Sequence, residues 1–310
     1  MRAVSEGFSL ATFLAEERAH VDAALQGAVA ELLPDLPEGL RGPVEAGVMA
    51  PGKRLRPIFC IAAFGACRGA PSSQEPLPAA AYPLAAALEL IHAYSLMHDD
   101  LPCMDDAPLR RGRPAPHTLF GEAATTVAAA ALIPAAARQA WRAATALGRP
   151  IETRREIVRI LARAAGAGGM VGGQGLDLLG EGKRLSRPEL DRLHGMKTGA
   201  LLTASLRIGG VAAGAAPKEL DALDRYGREI GLAFQVADDV LDATAGADVL
   251  GKEPSDQALE KSTYVSLLGV EDARREAAAR VEVAGLALEE GGISSPALLA
   301  MARHVVDRDR

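Results

Sequence analysis

The sequence predicts an all-α fold in one domain spanning residues 1–310, built from ten or more helices. Three observations carry that prediction. Alanine makes up about a fifth of the 310 residues, and it is the best helix former and a poor strand residue. Apolar positions recur at helical spacing; Leu84, Leu88, Ile91 and Ser95 share one face, with Leu90, Tyr94 and Met97 beside it. No run shows the strict alternation, bounded by turns, of a half-buried strand. Hydrophobic residues reach 49%, which excludes a disordered chain, and no change of composition marks a domain boundary.

The elements follow in order from the punctuation. Residues 1–20 carry Glu6, Glu16, Glu17 and Arg18, so they read as an amphipathic helix, not as the apolar core of a signal peptide. Clusters of Pro, Gly and Ser place connections at 34–43, 69–78, 148–153, 180–188, 214–218 and 291–296. The longest apolar stretch, 123–137, is rich in Ala and Thr and contains Pro134. It lacks the roughly 20 strongly apolar residues of a membrane span. Three cysteines, Cys60, Cys67 and Cys103, form no disulfide framework and fit a reducing cytoplasm. With 34 basic against 40 acidic residues the net charge is −6, which argues against nucleic acid as a partner.

Two acidic clusters stand out. In the first, 98–106, Asp99 and Asp100 fall at the end of a helix that Pro102 breaks. The chain can then bulge and return Asp105 to the side of Asp99. Four carboxylates near a helix C-terminus oppose both the helix dipole and one another, which suggests a counter-ion. Oxygen-only ligands point to a hard cation, Mg²⁺ before Ca²⁺ or Zn²⁺. Alone, the cluster also reads as a solvated loop. In the second, 234–242, the helix is uninterrupted and Gln235, Asp238 and Asp242 share a face, with Asp239 beside them. Alone, that stripe also reads as an outer helix face. Facing each other, the two clusters could hold divalent ions between them. Mg²⁺ usually bridges one or two carboxylates to substrate phosphates, so a diphosphate is the economical ligand. Cationic partners are at hand in Lys53 and Arg56, in Arg110 and Arg111, and in Lys197, Lys252 and Lys261.

With these elements in order (GKRLRP at 52–57, HDDLPCMDD at 98–106, LRRGRP at 109–114, GGQGLDL at 172–178, KTGALL at 197–202, FQVADDVLD at 234–242, and GK…KSTY at 251–264) the chain resembles the polyprenyl synthetase family, in its short-chain farnesyl/geranylgeranyl group. The resemblance is nearest to the bacterial farnesyl members. It implies an isoprenoid-synthase-type helical bundle around a deep cavity, a homodimer, and a Mg²⁺-dependent transfer using about three ions. The implied substrates are isopentenyl diphosphate and an allylic diphosphate, dimethylallyl or geranyl. Carried over by motif, Asp99, Asp105 and Asp238 hold the metal ions, and Asp100, Asp239 and Asp242 support them. Arg110, Lys197 and Lys252, with Lys261 nearby, hold the allylic diphosphate. Lys53, Arg56, His92 and Arg111 hold the isopentenyl diphosphate. Thr198 and Gln235 present oxygens to the allylic cation, and Gln174 and Asp177 look like cavity-wall residues.

Product length should be set by the helix leading into Asp99, because one isoprene unit is close to the helical pitch of about 5.4 Å. A bulky Tyr94 beside a small Ser95 resembles the C15-producing relatives. Ala129-Ala130 stands where many relatives carry Gly-Asp, which removes a polar contact expected near the cavity wall and keeps a C20 product as the alternative. Two readings of other kinds compete: a class I terpene cyclase, and a non-catalytic subunit of a prenyl synthase. The second acidic motif argues against both, and GKRLRP argues further against the cyclase.

Overall fold

The computed structural model describes residues 8–68, 76–244 and 262–307. They form the expected all-α architecture. Lys252, Lys261 and most of the connection at 69–78 lie outside the described residues.

Helix α1 (Leu10–Leu32) starts where the Ser9 hydroxyl accepts from the Thr12 N–H, an N-cap that satisfies one of the free amides of the first turn. A 3₁₀ turn (Leu33–Asp35) leads to α2 (Glu38–Val48), α3 (Leu55–Cys67) and α4 (Ala81–Asp99). Helix α4 is apolar all round, with Leu84, Ala85, Ala86, Ala87, Leu88, Leu90 and Ile91 buried, so it runs through the interior. It packs on α1, α2, α3 and α6 (Glu122–Ala146). The facing side of α6 is Ala128, Ala129, Leu132, Ala135 and Ala136, small enough for two helix axes to approach closely. Helix α5 (Pro116–Phe120) precedes α6; α7 (Ile151–Ala165) and α8 (Met170–Gly180) follow it.

The next segment is one bent rod. Helix α9 (Arg187–His194), a π-helical turn (Gly195–Gly199) and α10 (Ala200–Ala213) run without a break. Close approaches at the rod require glycine, most tightly at two places. A Cβ on Gly173 of α8 would sit 2.2 Å from the Lys197 backbone nitrogen, and one on Gly209 would sit 2.2 Å from the Cys60 carbonyl oxygen. The long helix α11 (Pro217–Thr244) lies against α10 and carries the second acidic cluster. Helices α12 (Tyr264–Leu268), α13 (Val270–Gly291) and α14 (Pro296–Val306) close the bundle over α11. Among the described residues no helix is long and apolar enough to cross a membrane.

Three features differ from the sequence expectation. Helix α2 occupies much of the connection placed at 34–43, with Pro43 inside it; α6, where no connection was placed, also contains a proline, Pro134. An interior proline costs about 3 kcal/mol, and burial of neighbours such as Val44, Val48, Ala135 and Ala136 offsets it. A two-stranded hairpin, β1 (Leu109–Arg110) and β2 (Arg113–Pro114), interrupts the helices. Its turn residues Arg111 and Gly112 have φ of 55° and 74°, and a two-residue turn with both φ positive matches the twist of paired strands. Finally, Ala130 lies on the exposed face of α6 while Ala129 is buried, so a carboxylate at 130 would face outward and not the cavity wall.

Candidate active site

Helix α4 ends at Asp99, and the chain bulges as its proline demands. The Asp105 N–H donates to the Asp99 carbonyl at 2.9 Å, and the N–H groups of Met104 and Asp106 both turn back to the Leu101 carbonyl. Asp105 thus returns to Asp99. Across a cavity of about 370 Å³ these two carboxylates confront Asp238, Asp239 and Asp242 of α11, with Arg110, Asp177, Lys197 and Gln235 in the wall. Burial pushes the Asp99 carboxyl up to about 6; Asp105 and Asp100 add to the rise, and Lys197 and Arg110 oppose it. Negative charge is therefore held here against its own desolvation.

The two remaining acids are committed to protein groups. Asp100 is buried and paired with Arg110, whose Nε donates to its Oδ1 at 2.8 Å. That pair fastens the hairpin to the end of α4. Asp239 is also buried. Its Oδ2 accepts the Tyr264 N–H at 2.7 Å, and its Oδ1 accepts from the Gln235 amide at 3.2 Å. Tyr264 in turn donates its hydroxyl to Asp191. Through Asp239 the described chain after residue 261 is tied to α11. Gln235 is oriented by the same contact, and its oxygen accepts the Thr198 hydroxyl at 3.2 Å. Lys197 pairs with Asp177 at 2.6 Å.

The donors on the two walls are carboxylate oxygens, the set a hard cation prefers. Among the described residues no three acidic, histidine or cysteine side chains lie close enough to hold an ion by themselves. The donor set fits a cation that completes its shell with oxygens from a phosphorylated ligand.

A basic annex adjoins this cavity. Gly52 and Lys53 precede α3, and Arg56 lies in its first turn. Arg56 Nη1 lies 3.2 Å from His92 Nε2, and Arg111 reaches over to the Pro51 carbonyl. Burial holds the His92 imidazole well below its ordinary range, and the cations Arg56, Arg111, Arg110 and Arg54 push it the same way. Neutral His92 can then accept from Arg56 through Nε2. A depressed histidine contributes stability above its unfolded value of about 6.5 and loses it as pH falls. We expect the His92 ring protons to keep one chemical shift from pH 8 to about 5.5 in an NMR titration; an ordinary midpoint near 6.5 would mean the ring is solvated.

Sequence reasoning passed over Arg54 and Glu89, which brace this annex. Arg54 is only 6% exposed and has left-handed backbone, φ 52°. Its guanidinium binds Glu89 and Asp22 at 2.8 Å each and the Ala50 carbonyl at 2.9 Å. The available signal was Glu89 itself, an acid set among the apolar residues of α4, one turn before His92.

Tyr94 and Ser95 are not among the residues lining the acidic cavity. Tyr94 is buried, its ring edge-on to His98 at 4.9 Å between centroids, and Ser95 donates its hydroxyl to the His92 carbonyl at 2.8 Å.

An all-α bundle with paired carboxylate walls and a cationic annex defines a class of protein, and the family comparison names it. The polyprenyl synthetase profile matches residues 37–286, and the chain belongs to that family. It is thus a prenyltransferase of isoprenoid biosynthesis, in a family whose members are generally metal-dependent. Among individual relatives, a farnesyl diphosphate synthase of Escherichia coli is 42% identical over 275 residues, 86% of this chain and 88% of the relative. A geranylgeranyl diphosphate synthase of Cyanophora paradoxa is 36% identical over 312 residues, the full length of both. The crystal structure of an FPP/GFPP synthase from Zymomonas mobilis superposes with a TM-score of 0.78 at 34% identity, covering 96% of this chain and all of that one.

Proposed function

We propose that this protein condenses isopentenyl diphosphate with dimethylallyl or geranyl diphosphate to give farnesyl diphosphate. The observation that carries the reading is the cavity in which Asp99 and Asp105 face Asp238 and Asp242, with Arg110 and Lys197 between them. The hard step is heterolysis of the allylic carbon–oxygen bond, in which the diphosphate leaves with the electron pair. Lys197 and Arg110 meet that charge directly, and Lys252 and Lys261 are assigned to the same diphosphate by their motif. Bound Mg²⁺, shared between the substrate and Asp99, Asp105, Asp238 and Asp242, would supply further positive charge against the departing group.

Lys53, Arg56, Arg111 and neutral His92 hold the isopentenyl diphosphate in the annex, so that its double bond attacks the allylic carbon. Thr198 and Gln235 direct oxygen lone pairs toward the cation, and Asp239 positions Gln235 for this. Asp100 positions Arg110. The new carbon–carbon bond leaves a tertiary cation, and the released diphosphate takes its proton. No side-chain nucleophile is used.

The chain works as a single polyprenyl synthetase domain in the cytoplasm and pairs with a second copy. Exposed Leu119, Phe120, Val127 and Ile133 on α5 and α6 support that pairing, since large apolar side chains left exposed near one another in the chain favour a protein contact. The decisive assay supplies purified protein with isopentenyl diphosphate, each allylic primer and Mg²⁺, then separates the dephosphorylated products. A C15 alcohol is expected. A C20 alcohol would make it a geranylgeranyl synthase; hydrocarbon without isopentenyl consumption would make it a cyclase; no turnover without a partner would make it a non-catalytic subunit. Tyr94 is the assigned floor of the product channel, five residues before Asp99, so Tyr94→Ala should lengthen the product by one or more isoprene units. An unchanged C15 alcohol would remove Tyr94 from that role.

A further inference from the structure

A second cavity lies on the other side of the rod that carries Lys197. It is about 830 Å³, larger than the acidic one and within the range of small-molecule sites. Its floor is the outer face of the π-turn and α10, made of small residues: Gly199, Ala200, Thr203 and Ala204. Ile160 and Ala164 of α7 form one wall, and α11 forms the other. From Met196 to Arg207 the floor runs roughly 17 Å at 1.5 Å per residue. The two cavities share one partition. Leu190, Leu193, His194 and Lys197 line the acidic cavity, while Arg192, Gly195, Met196 and Gly199 of the same segment line this one.

The rim is cationic. Arg159, Arg163, Arg192, Arg207 and Arg228 stand around it against three aspartates, Asp191, Asp221 and Asp224. Two of those aspartates are already engaged, Asp224 by Arg207 and Asp191 by the Tyr264 hydroxyl. Arg159 pairs with Glu156 at 2.7 Å. Among the described residues Arg163 and Arg192 have no ion-pair partner, and Arg228 reaches Asp224 only through space, as a cation lowering its pKa. A long apolar floor with unmatched guanidinium groups at its edge suits a ligand that is apolar along its length and anionic at one end.

We propose that this groove is a second binding site, for a soluble phosphorylated amphiphile of isoprenoid length. The proposal rests on the function proposed above only for the isoprenoid nature of the chain. Arg163, Arg192 and Arg228 take the phosphate, and the Gly199–Ala204 face takes the hydrocarbon.

Farnesyl monophosphate, titrated calorimetrically into the whole protein with EDTA present, tests it. Saturable binding is expected, at least tenfold weaker in Arg163→Glu/Arg228→Glu and unchanged in Arg110→Ala, whose contacts lie at the acidic cavity and the hairpin and not in this groove. Inorganic pyrophosphate and farnesol, each lacking half of the chemistry, should bind at least tenfold more weakly than farnesyl monophosphate. Arg163→Gln/Arg192→Gln, a milder change at exposed positions, should show a smaller loss in the same direction. Absence of saturable binding, equal affinity in both rim variants and the unmodified protein, or loss of binding in Arg110→Ala would each overturn the proposal. Pyrophosphate binding as tightly as farnesyl monophosphate would overturn it as well. The condensation assay on the same preparations separates the two readings: turnover without groove binding defeats the second site alone, and groove binding without turnover defeats the proposed reaction alone. Turnover by the rim variants also verifies that they fold.

Discussion

Asp99→Asn is expected to lower the condensation rate by about a thousandfold, the scale on which a pre-organised charge contact contributes to a transition state. The substitution keeps the shape of the side chain and removes its charge at the point where α4 meets the cavity. Asp105 is folded back onto Asp99 by a backbone hydrogen bond, so losing one carboxylate also halves the charge of that wall. The metal-free protein should meanwhile be as stable as before or more so. Burial, with Asp105 acting in the same direction, raises the Asp99 carboxyl to about 6. Its charged form is therefore a destabilising presence at neutral pH, in the way functional sites often are. Steady-state kinetics with thermal melts in EDTA measure both effects. A rate within tenfold of the unmodified enzyme, or a melting temperature many degrees lower, would contradict this account of the wall.

Arg54→Ala should cost about 3–5 kcal/mol of folding stability, the usual penalty for stripping one partner from a buried ion pair. Glu89 would be left charged inside the bundle, 4% exposed, and Asp22 and the Ala50 carbonyl would lose a shared donor. The left-handed turn that begins α3 would lose its anchor, and Lys53 and Arg56 with it. The KM for isopentenyl diphosphate should therefore rise more than the KM for the allylic substrate. Replacing both partners by apolar residues of similar size, Arg54→Met with Glu89→Leu, should recover most of the stability without restoring the KM. Urea denaturation and paired KM measurements decide the matter; a loss below about 1 kcal/mol, as for an exposed pair, would show that the network is peripheral.

Much of this was legible in the sequence because it rests on periodicity and on charge where charge is costly. The alanine-rich stretches marked close-packed helices, and Pro102 marked the bulge that returns Asp105 to Asp99. What escaped was what depends on tertiary neighbours. Arg54 sits inside a basic run that looks like surface, and only the position of Glu89 on a helix buried all round shows that one member of the run goes inward. The hairpin escaped because its strands are two residues each, too short for any alternation. Helical spacing set Asp239 beside the face of Asp238 and Asp242 but not against a partner, and it did not separate Asp100 from Asp99; the partners are Tyr264, through its amide, and Arg110. Pro43 misled in the opposite sense, because packing overrode a local preference.

The wide turn at Gly195–Gly199 makes the chain intolerant of a change in its count. Deleting one residue there would return the rod to ordinary pitch and relieve its looser hydrogen bonding. The same deletion would swing the segment 187–194 through about 100° relative to α10. His194 would turn away from Tyr264, Asp191 would leave the tyrosine hydroxyl, and the partition between the two hollows would present the wrong side to each. A shortened rod would be the better helix and would no longer serve either chamber.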